Sequence, residues 1–520
     1  MGAPAQGRQA EVVRFLCDPA HWPGAVRHVE HLQTHISHLF LGGEMALKMK
    51  KALKLPYLDF STPEKREHYC RRELEVNARF SPEIYLGLSR VARLEDGRLA
   101  LDPPETAGET VEWLVRMRRF AQEAILANRL VETPPDAALA RQLAAMACAA
   151  HRRAETRHDA DSSATLMHVW RQVRDALMPQ AAALGDVALK ETLEALRDRL
   201  EASRPMLEKR ARQGFVRRCH GDMHLGNIVL LDDRPRLFDA IEFDEALATI
   251  DILYDLAFLL MDLVHRGYRD AANRVFNGWL ARCDDARNHA AAALTAPMMA
   301  LRACIRAMVA VDLAEQQTEK ERAASMAQAA DYVRTASACL RPTKVMLIAV
   351  GGLSGTGKTT LARALAARLA PGPGMVHLRS DVERKMMEGV EETDRLPPAA
   401  YTPEASRRTY DRLYERAAAA LASPWPVVVD AVFAKEEERA AIEEVARKAG
   451  APFAGLWLEA PPEVLRARVT ARTGDASDAD ARVLEKQLGY DLGDIRWRRI
   501  GAVGAPEEVF AQAQAALAAP

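Results

Sequence analysis

The sequence has no Cys-x-x-Cys pair, no excess of either charge and no long apolar run free of ionisable residues. Its seven cysteines, Cys17, Cys70, Cys148, Cys219, Cys283, Cys304 and Cys339, are scattered. That excludes a short-spaced disulfide framework and makes a reduced, cytoplasmic setting the expectation. Lys+Arg 71 stand against Asp+Glu 72, a net charge of −1, so nucleic acid is not expected as a partner and only local basic patches remain available. The first twenty residues lack the apolar centre of a signal peptide and Gly2 opens no myristoylation pattern, so secretion is not expected either. The most apolar stretches, 250–264 and 290–314, contain Asp251, Asp255 and Asp262 in one and Arg302 and Arg306 in the other. Both read as buried helices rather than membrane spans.

What is present is a globular composition, 49% hydrophobic and 28% charged over 520 residues, long enough for roughly two to four domains. An Ala-rich helical region ends near Cys339–Lys344, and an apolar β-type run follows. A domain junction is therefore expected at about Pro342. Residues 26–60 read as a hairpin turning at Gly42-Gly43, and 137–215 and 246–338 as mostly helical. Beyond the junction, apolar runs at 345–350, 375–378, 426–433 and 453–458 alternate with helical ones at 359–370, 403–422, 435–450 and 462–470. That alternation predicts a parallel sheet flanked by helices.

Gly352-Leu-Ser354-Gly355-Thr356-Gly357-Lys358-Thr359 fits G-x-x-x-x-G-K-[ST] without gaps, with Thr360 continuing into the helix. A strand runs into it and a helix runs out, as the chemistry needs. Glycines let backbone N–H groups turn in around phosphates, the helix N-terminus adds partial positive charge, Lys358 reaches the terminal phosphates and Thr359 ligates Mg²⁺. Asp381, in the following Ser380-Asp-Val-Glu-Arg384-Lys385, is placed to take the proton of an attacking hydroxyl, and Arg384 to hold the substrate. Asp430 ends the strand Val-Val-Val-Asp, the place of a carboxylate that orients Mg²⁺. Arg466, Arg468 and Arg472 lead into a polar segment that reads as a lid, with Arg468 or Arg472 stabilising the transferring phosphoryl group. Bland alternatives stand beside these: a helix cap for Asp381, a structural carboxylate for Asp430, a solvated helix face for the arginines.

The other half carries Arg218-Cys-His220-Gly-Asp222-Met-His-Leu-Gly-Asn227, then a strand, a Asp-Asp-Arg-Pro turn and a second strand delivering Asp239. H-x-D-x-x-x-x-N is the spacing of a kinase catalytic loop: the Asp takes the acceptor's proton, and the Asn with a second carboxylate holds metal. Upstream, a strand, tight turn and strand end in Ala46-Leu-Lys48, the phosphate lysine, with Lys50 and Lys51 as competitors. Glu73, rather than Glu67, is the carboxylate expected to pair with it. Val111–Met117 has the character of a hinge strand. Asp244, Asp251, Asp255 and Asp262 allow either an acidic acceptor pocket or helix-face pairing with arginines such as Arg266 and Arg269.

The C-terminal part, about 344–520, resembles the P-loop small-molecule kinases related to gluconate kinase, polynucleotide 5′-kinase and the zeta-toxin group. The N-terminal part, about 28–260, resembles the aminoglycoside phosphotransferase-like branch of the protein-kinase-like fold, with His-Gly-Asp for His-Arg-Asp, no Asp-Phe-Gly and no Gly-rich G-x-G-x-x-G. Their joining matches bacterial bifunctional proteins of that double type. The resemblance implies an α+β two-lobed kinase-like domain at 1–341 (small lobe about 20–117, helical large lobe 118–341) followed by an α/β P-loop domain at 342–520. It also implies Asp222 as base, Asn227 and Asp239 as metal ligands, and ATP with Mg²⁺ as cofactors. The expected function is γ-phosphoryl transfer from two nucleotide sites to hydroxyls of small molecules. The competing reading makes the P-loop half an ATPase or nucleic-acid-end kinase and the kinase-like half a ligand-binding regulatory module.

Overall fold

The computed structural model describes residues 3–34, 36–55, 58–131, 133–158, 160–315, 317–471 and 476–518. Two compact units divide the chain. One comprises Met1–Pro134, Ala149–Thr165 and Lys209–Asp255, the other Pro135–Cys148, Leu166–Glu208 and Leu256–Pro520.

The first unit is built on a six-stranded antiparallel sheet. Its strands are β1 (Val29–Gln33), β2 (Ser37–Gly42), β3 (Met45–Lys50), β4 (Tyr85–Arg93), β5 (Leu99–Leu101) and β6 (Glu109–Arg118), in the order β1-β2-β3-β6-β4-β5. The Gly42-Gly43 hairpin forms as expected, with Gly42 opposite Met45. Strand alternation sorts β3 into two faces. Leu47 and Met49 pack with Val12, Phe15 and Leu16 of the helix Ala3–Cys17, whereas Ala46 lies in a cluster with Cys70 of the helix Pro63–Asn77. Lys48 and Lys50 share the Ala46 face. Val111–Met117 lies in β6, flanked by β3 and β4, the last strand of this sheet before the chain passes at Arg118 into helical segments. Its apolar residues are explained by burial on both sides.

The second unit holds a five-stranded sheet, β7 (Leu347–Gly351), β8 (Val376–Arg379), β9 (Val427–Asp430), β10 (Phe453–Glu459) and β11 (Arg498–Gly501), ordered β8-β9-β7-β10-β11 and parallel throughout. Ile348, Val350, Val428 and Leu456 pack with Leu361 and Leu365 of the helix Lys358–Arg368. Near-continuous apolar strands of this kind are what a sheet covered on both faces requires.

The sheet begins just after the expected junction, but Pro342 is not where the compact units part. Helices preceding Pro342 are tied to the P-loop sheet's surroundings within the second unit. Arg269 donates to the carbonyls of Ala367 and Ala370, and the buried Asn273 amide to those of Pro373 and Met375. Ala292–Ala314 is long and apolar enough to cross a membrane, yet 78% of its apolar window is buried inside the structure. Arg302, within it, lies over the ring of Phe258.

Candidate functional site

In the first unit a capped helix, a strand and a loop converge. Thr62 caps the helix Pro63–Asn77 by accepting the Lys65 N–H, and Pro63 takes the first helical position, where no N–H is needed. Arg66, Cys70, Glu73 and Asn77 recur at helical spacing and are buried. Glu73 meets both lysines of β3: Lys48 Nζ reaches Oε1 at 2.8 Å and Lys50 Nζ reaches Oε2 at 2.7 Å. The second partners separate the two lysines. Lys48 also bonds Asp239 at 2.5 Å, whereas Lys50 bonds Glu242 and is almost wholly buried. Of the two, Lys48 is the one linked to the carboxylate expected to hold metal. Lys50 belongs to a buried structural pair, and Lys51 bonds the backbone carbonyl of Thr34. Burial opposes the charge on Glu73, but the two ammonium groups outweigh it and hold its carboxyl below the ordinary range. Glu242, with one lysine and with Glu73 nearby, is pushed up chiefly by burial. Glu67 pairs instead with Arg71 one turn on, at the surface.

The catalytic loop lies between the strand Val216–Arg218 and the hairpin Ile228–Leu231 with Arg234–Leu237. Gly221 has φ +86, and a Cβ there would sit 3.0 Å from Ile241 Cδ1, so the loop needs glycine for both conformation and space. Asn227 Nδ2 donates to Asp222 Oδ2 at 2.7 Å and to its carbonyl at 3.0 Å. His220 accepts the Asp222 N–H on Nδ1 at 3.3 Å and donates through Nε2 to the Phe238 carbonyl at 3.0 Å. Burial lowers its pKa, so the neutral ring with Nε2 protonated is the form this geometry selects. Asp239 sits at φ +61, its N–H donating to Tyr85 Oη at 2.9 Å. The next N–H, of Ala240, donates to Asn77 Oδ1.

Asp255 has partners that the sequence argument did not foresee. The buried Asp255 carboxylate accepts the Gly221 N–H at 2.9 Å and the His220 N–H at 3.3 Å, and lies 3.2 Å from His151 Nε2. It holds the loop from below. Cys219 stands in the same cluster, its thiol kept protonated mainly by burial. The only sequence signal was an acidic residue inside an apolar helix, the helix Ile252–His265. The four acidic residues do not form one pocket: Asp251 pairs with buried Arg210 at 2.7 Å, Asp262 with Arg266 at 3.0 Å, and Asp244 caps a short helix. Arg269 donates to backbone carbonyls.

In the second unit Gly352, Gly355 and Gly357 have φ +138, +85 and +87, the backbone a phosphate nest requires. Ser354 and Thr356 are buried within the loop, and the Thr356 hydroxyl donates to the Leu353 carbonyl at 2.8 Å. The Ser354 N–H is met at 2.8 Å by Oε1 of Gln487. Lys358 Nζ closes on the Leu353 carbonyl at 2.9 Å, Thr359 Oγ1 donates to Asp430 Oδ2 at 2.5 Å, and Thr360 follows in the first turn of the helix. Burial would raise the Asp430 carboxyl, but His377 and Arg379, each 3.8 Å away, hold it down at about 2. Asp381 is pushed the other way, raised chiefly by burial against the pull of Arg379 and Lys358.

Arg384 lies over the Tyr401 ring and donates to the Ala400 carbonyl at 2.7 Å. Nearby, Asp478 accepts from Lys385, the Leu396 N–H and the Tyr401 hydroxyl. Arg468 is not brought to the phosphate loop: its guanidinium donates to the carbonyls of Ala502 and Val503 after β11. Arg466 pairs with Glu485 at the surface, and Arg472 lies outside the described residues.

The donor types fit the expected groups. A carboxylate and an amide oxygen beside a lysine in one unit, and a hydroxyl, a carboxylate and a glycine nest in the other, are hard oxygen ligands and anion donors suited to Mg²⁺ and phosphate.

Different known proteins match the two segments that carry these sites. Residues 95–294 match the Phosphotransferase enzyme family, and residues 347–490 match the AAA domain. An uncharacterized protein of Mycobacterium tuberculosis (strain ATCC 25618 / H37Rv) is 29% identical over 495 residues, covering 92% of this chain and 94% of its own, and one from Mycobacterium bovis matches equally. Among solved structures, a gluconokinase from Sinorhizobium meliloti 1021 is 26% identical over 34% of this chain and 94% of its own, with TM-score 0.26. A choline/ethanolamine kinase family protein from Mesorhizobium loti is 13% identical over 64% of this chain and 99% of its own, with TM-score 0.37. The chain is a two-domain phosphotransferase-type protein. Its N-terminal segment is similar to the Phosphotransferase enzyme family, and its C-terminal segment to the AAA domain.

Proposed function

We propose that each half transfers the γ-phosphoryl group of ATP to a hydroxyl of a small molecule. The observation that carries this reading is the meeting of Lys48 with both Glu73 and Asp239, beside an Asp222 whose carboxylate is held by Asn227. A domain kept only for binding has no need of that full set. Mg²⁺, when bound by Asn227 and Asp239 in one half and by Thr359 with Asp430 in the other, neutralises phosphate charge. Lys48 and Lys358 bind and orient the phosphates. Asp222 accepts the acceptor hydroxyl's proton on its carboxylate, whose rotamer Asn227 fixes through Oδ2. In the P-loop half Asp381 takes the corresponding proton, and its raised pKa suits a base working nearer neutrality. Arg384, stacked on Tyr401, lies one turn along the same helix and is the substrate-side cation.

The test uses the full chain as wild type, Asp222→Asn and Lys358→Ala, incubated with Mg²⁺·ATP and a panel of polyols, sugars, aminoglycosides and 5′-hydroxyl oligonucleotides. Products are followed by mass. Each substitution should remove a different phosphorylated product. If Lys358→Ala stops all turnover, the first unit is a binding module. Phosphorylated oligonucleotide would make the P-loop half a nucleic-acid-end kinase.

A further inference from the structure

The helix that presents Glu73 to Lys48 is held at a second point, by its neighbour in sequence. Residues one apart on a helix diverge by about 100°, so Arg72 leaves the buried face and points elsewhere. Its guanidinium bonds Glu75 at 2.8 Å on the same helix and reaches Oε1 of Glu245. Glu245 opens the short helix Glu245–Ala248, which Asp244 caps. The other carboxylate oxygen of Glu245 accepts from Nε of Arg218 at 2.9 Å.

Arg218 ends the strand that leads into His220 and Asp222, and its side chain is 1% exposed. Its remaining nitrogens donate to the Cys219 carbonyl at 2.9 Å and the Ile241 carbonyl at 2.6 Å. Ile241 lies two residues beyond Asp239. One carboxylate thus joins three pieces of chain: the helix of Glu73, the strand before Asp222 and the segment after Asp239. A cavity of about 870 Å³, lined by His68, Arg72, Glu75, Arg157, Asp161 and Glu245, opens beside this bridge.

An exposed ion pair contributes little by itself, but a buried guanidinium stripped of its carboxylate is costly. The two ends of this bridge differ in that way. Glu245 is half exposed and Arg218 is buried, so the carboxylate is anchored at the Arg218 end and positions Arg72 from there.

We propose that Glu245 is a positioning residue for the first unit's phosphotransfer site: through Arg218 and Arg72 it fixes the helix bearing Glu73 against the strand bearing Asp222. This inference rests on the phosphotransfer reading of that unit.

The experiment uses the full chain carrying Lys358→Ala, which silences the P-loop nucleotide site, and titrates Mg²⁺ with the non-hydrolysable analogue AMP-PNP by calorimetry. If this background chain binds no nucleotide, or still binds it after Asp239→Asn, the phosphotransfer reading fails, whatever Glu245 does. Given binding that Asp239→Asn removes, Glu245→Gln should weaken it roughly three- to thirtyfold. Arg72→Met should weaken it to a similar degree, and the double variant should lose no more than either alone, because both cut one bridge. Partly exposed Arg72 can be replaced without leaving a cavity, so Arg72→Met carries the test if Glu245→Gln does not fold. Unchanged affinity in the folded single variants, or losses that add in the double variant, would overturn the proposal.

Discussion

The hydroxyl of Thr359, in the first turn after the phosphate loop, donates a 2.5 Å hydrogen bond to Oδ2 of Asp430 at the end of a neighbouring strand. The pair brings together a hydroxyl and a carboxylate, the two oxygen ligands that a P-loop site offers a hard cation. With Asp222→Asn silencing the other half, Thr359→Val and Asp430→Ala should each lower ATP turnover on the order of a hundredfold or more. Chelation of Mg²⁺ with EDTA should lower wild-type turnover similarly. A coupled assay of ADP release checks both.

Lys48 and Lys50 should separate by what they damage. Lys48→Met, in the Lys358→Ala background, should abolish nucleotide binding while the fold survives, because Glu73 retains Lys50. Lys50→Met leaves Glu242 and half of Glu73 as buried carboxylates without their cation, a loss of about 3–5 kcal/mol. Its thermal unfolding midpoint should fall well below that of Lys48→Met.

Asp381 yields a pH dependence with a defined sign. A general base acts only when deprotonated, and burial raises this carboxyl above the ordinary carboxylate range. The acid limb of kcat/KM for the P-loop half should therefore lie at higher pH than an exposed aspartate gives. Arg379 pulls the same pKa down, so Arg379→Met should move that limb to still higher pH. A shift to lower pH would contradict the assignment of Asp381 as the base.

Asp255→Asn presents an amide where two N–H donors of the catalytic loop now meet a carboxylate. About 1–3 kcal/mol of stability should be lost, read by thermal unfolding. The N-terminal activity should fall more than nucleotide affinity, because Lys48, Glu73 and Asp239 are untouched.

Much of this was legible before any tertiary structure. The expected β-runs at 345–350, 375–378 and 453–458 appear as Leu347–Gly351, Val376–Arg379 and Phe453–Glu459, and the helix 403–422 as Pro403–Ala422. Strand runs bounded by loops and helices with Thr-Pro starts announce themselves locally. The ionic partners did not. Arg468 was expected over the phosphates and is bound to the carbonyls of Ala502 and Val503. The residue type was read correctly, but its neighbours came from a distant part of the chain.

The sequence by itself determined the phosphate loop and the spacing of His220, Asp222 and Asn227. In both, the working groups come from a few consecutive residues whose backbone conformation is set locally by glycines and by the turn into a helix or strand. Only the tertiary structure sets Lys48 apart from Lys50. Both project from one face of one strand, two residues apart, and both reach Glu73; what separates them is that Asp239 arrives beside the first and Glu242 beside the second. The contacts of Asp255 and of the Arg72–Glu245–Arg218 bridge likewise come only from the fold, since a charge gains its partners only when folding brings its counter-charge or its donors within a few ångströms.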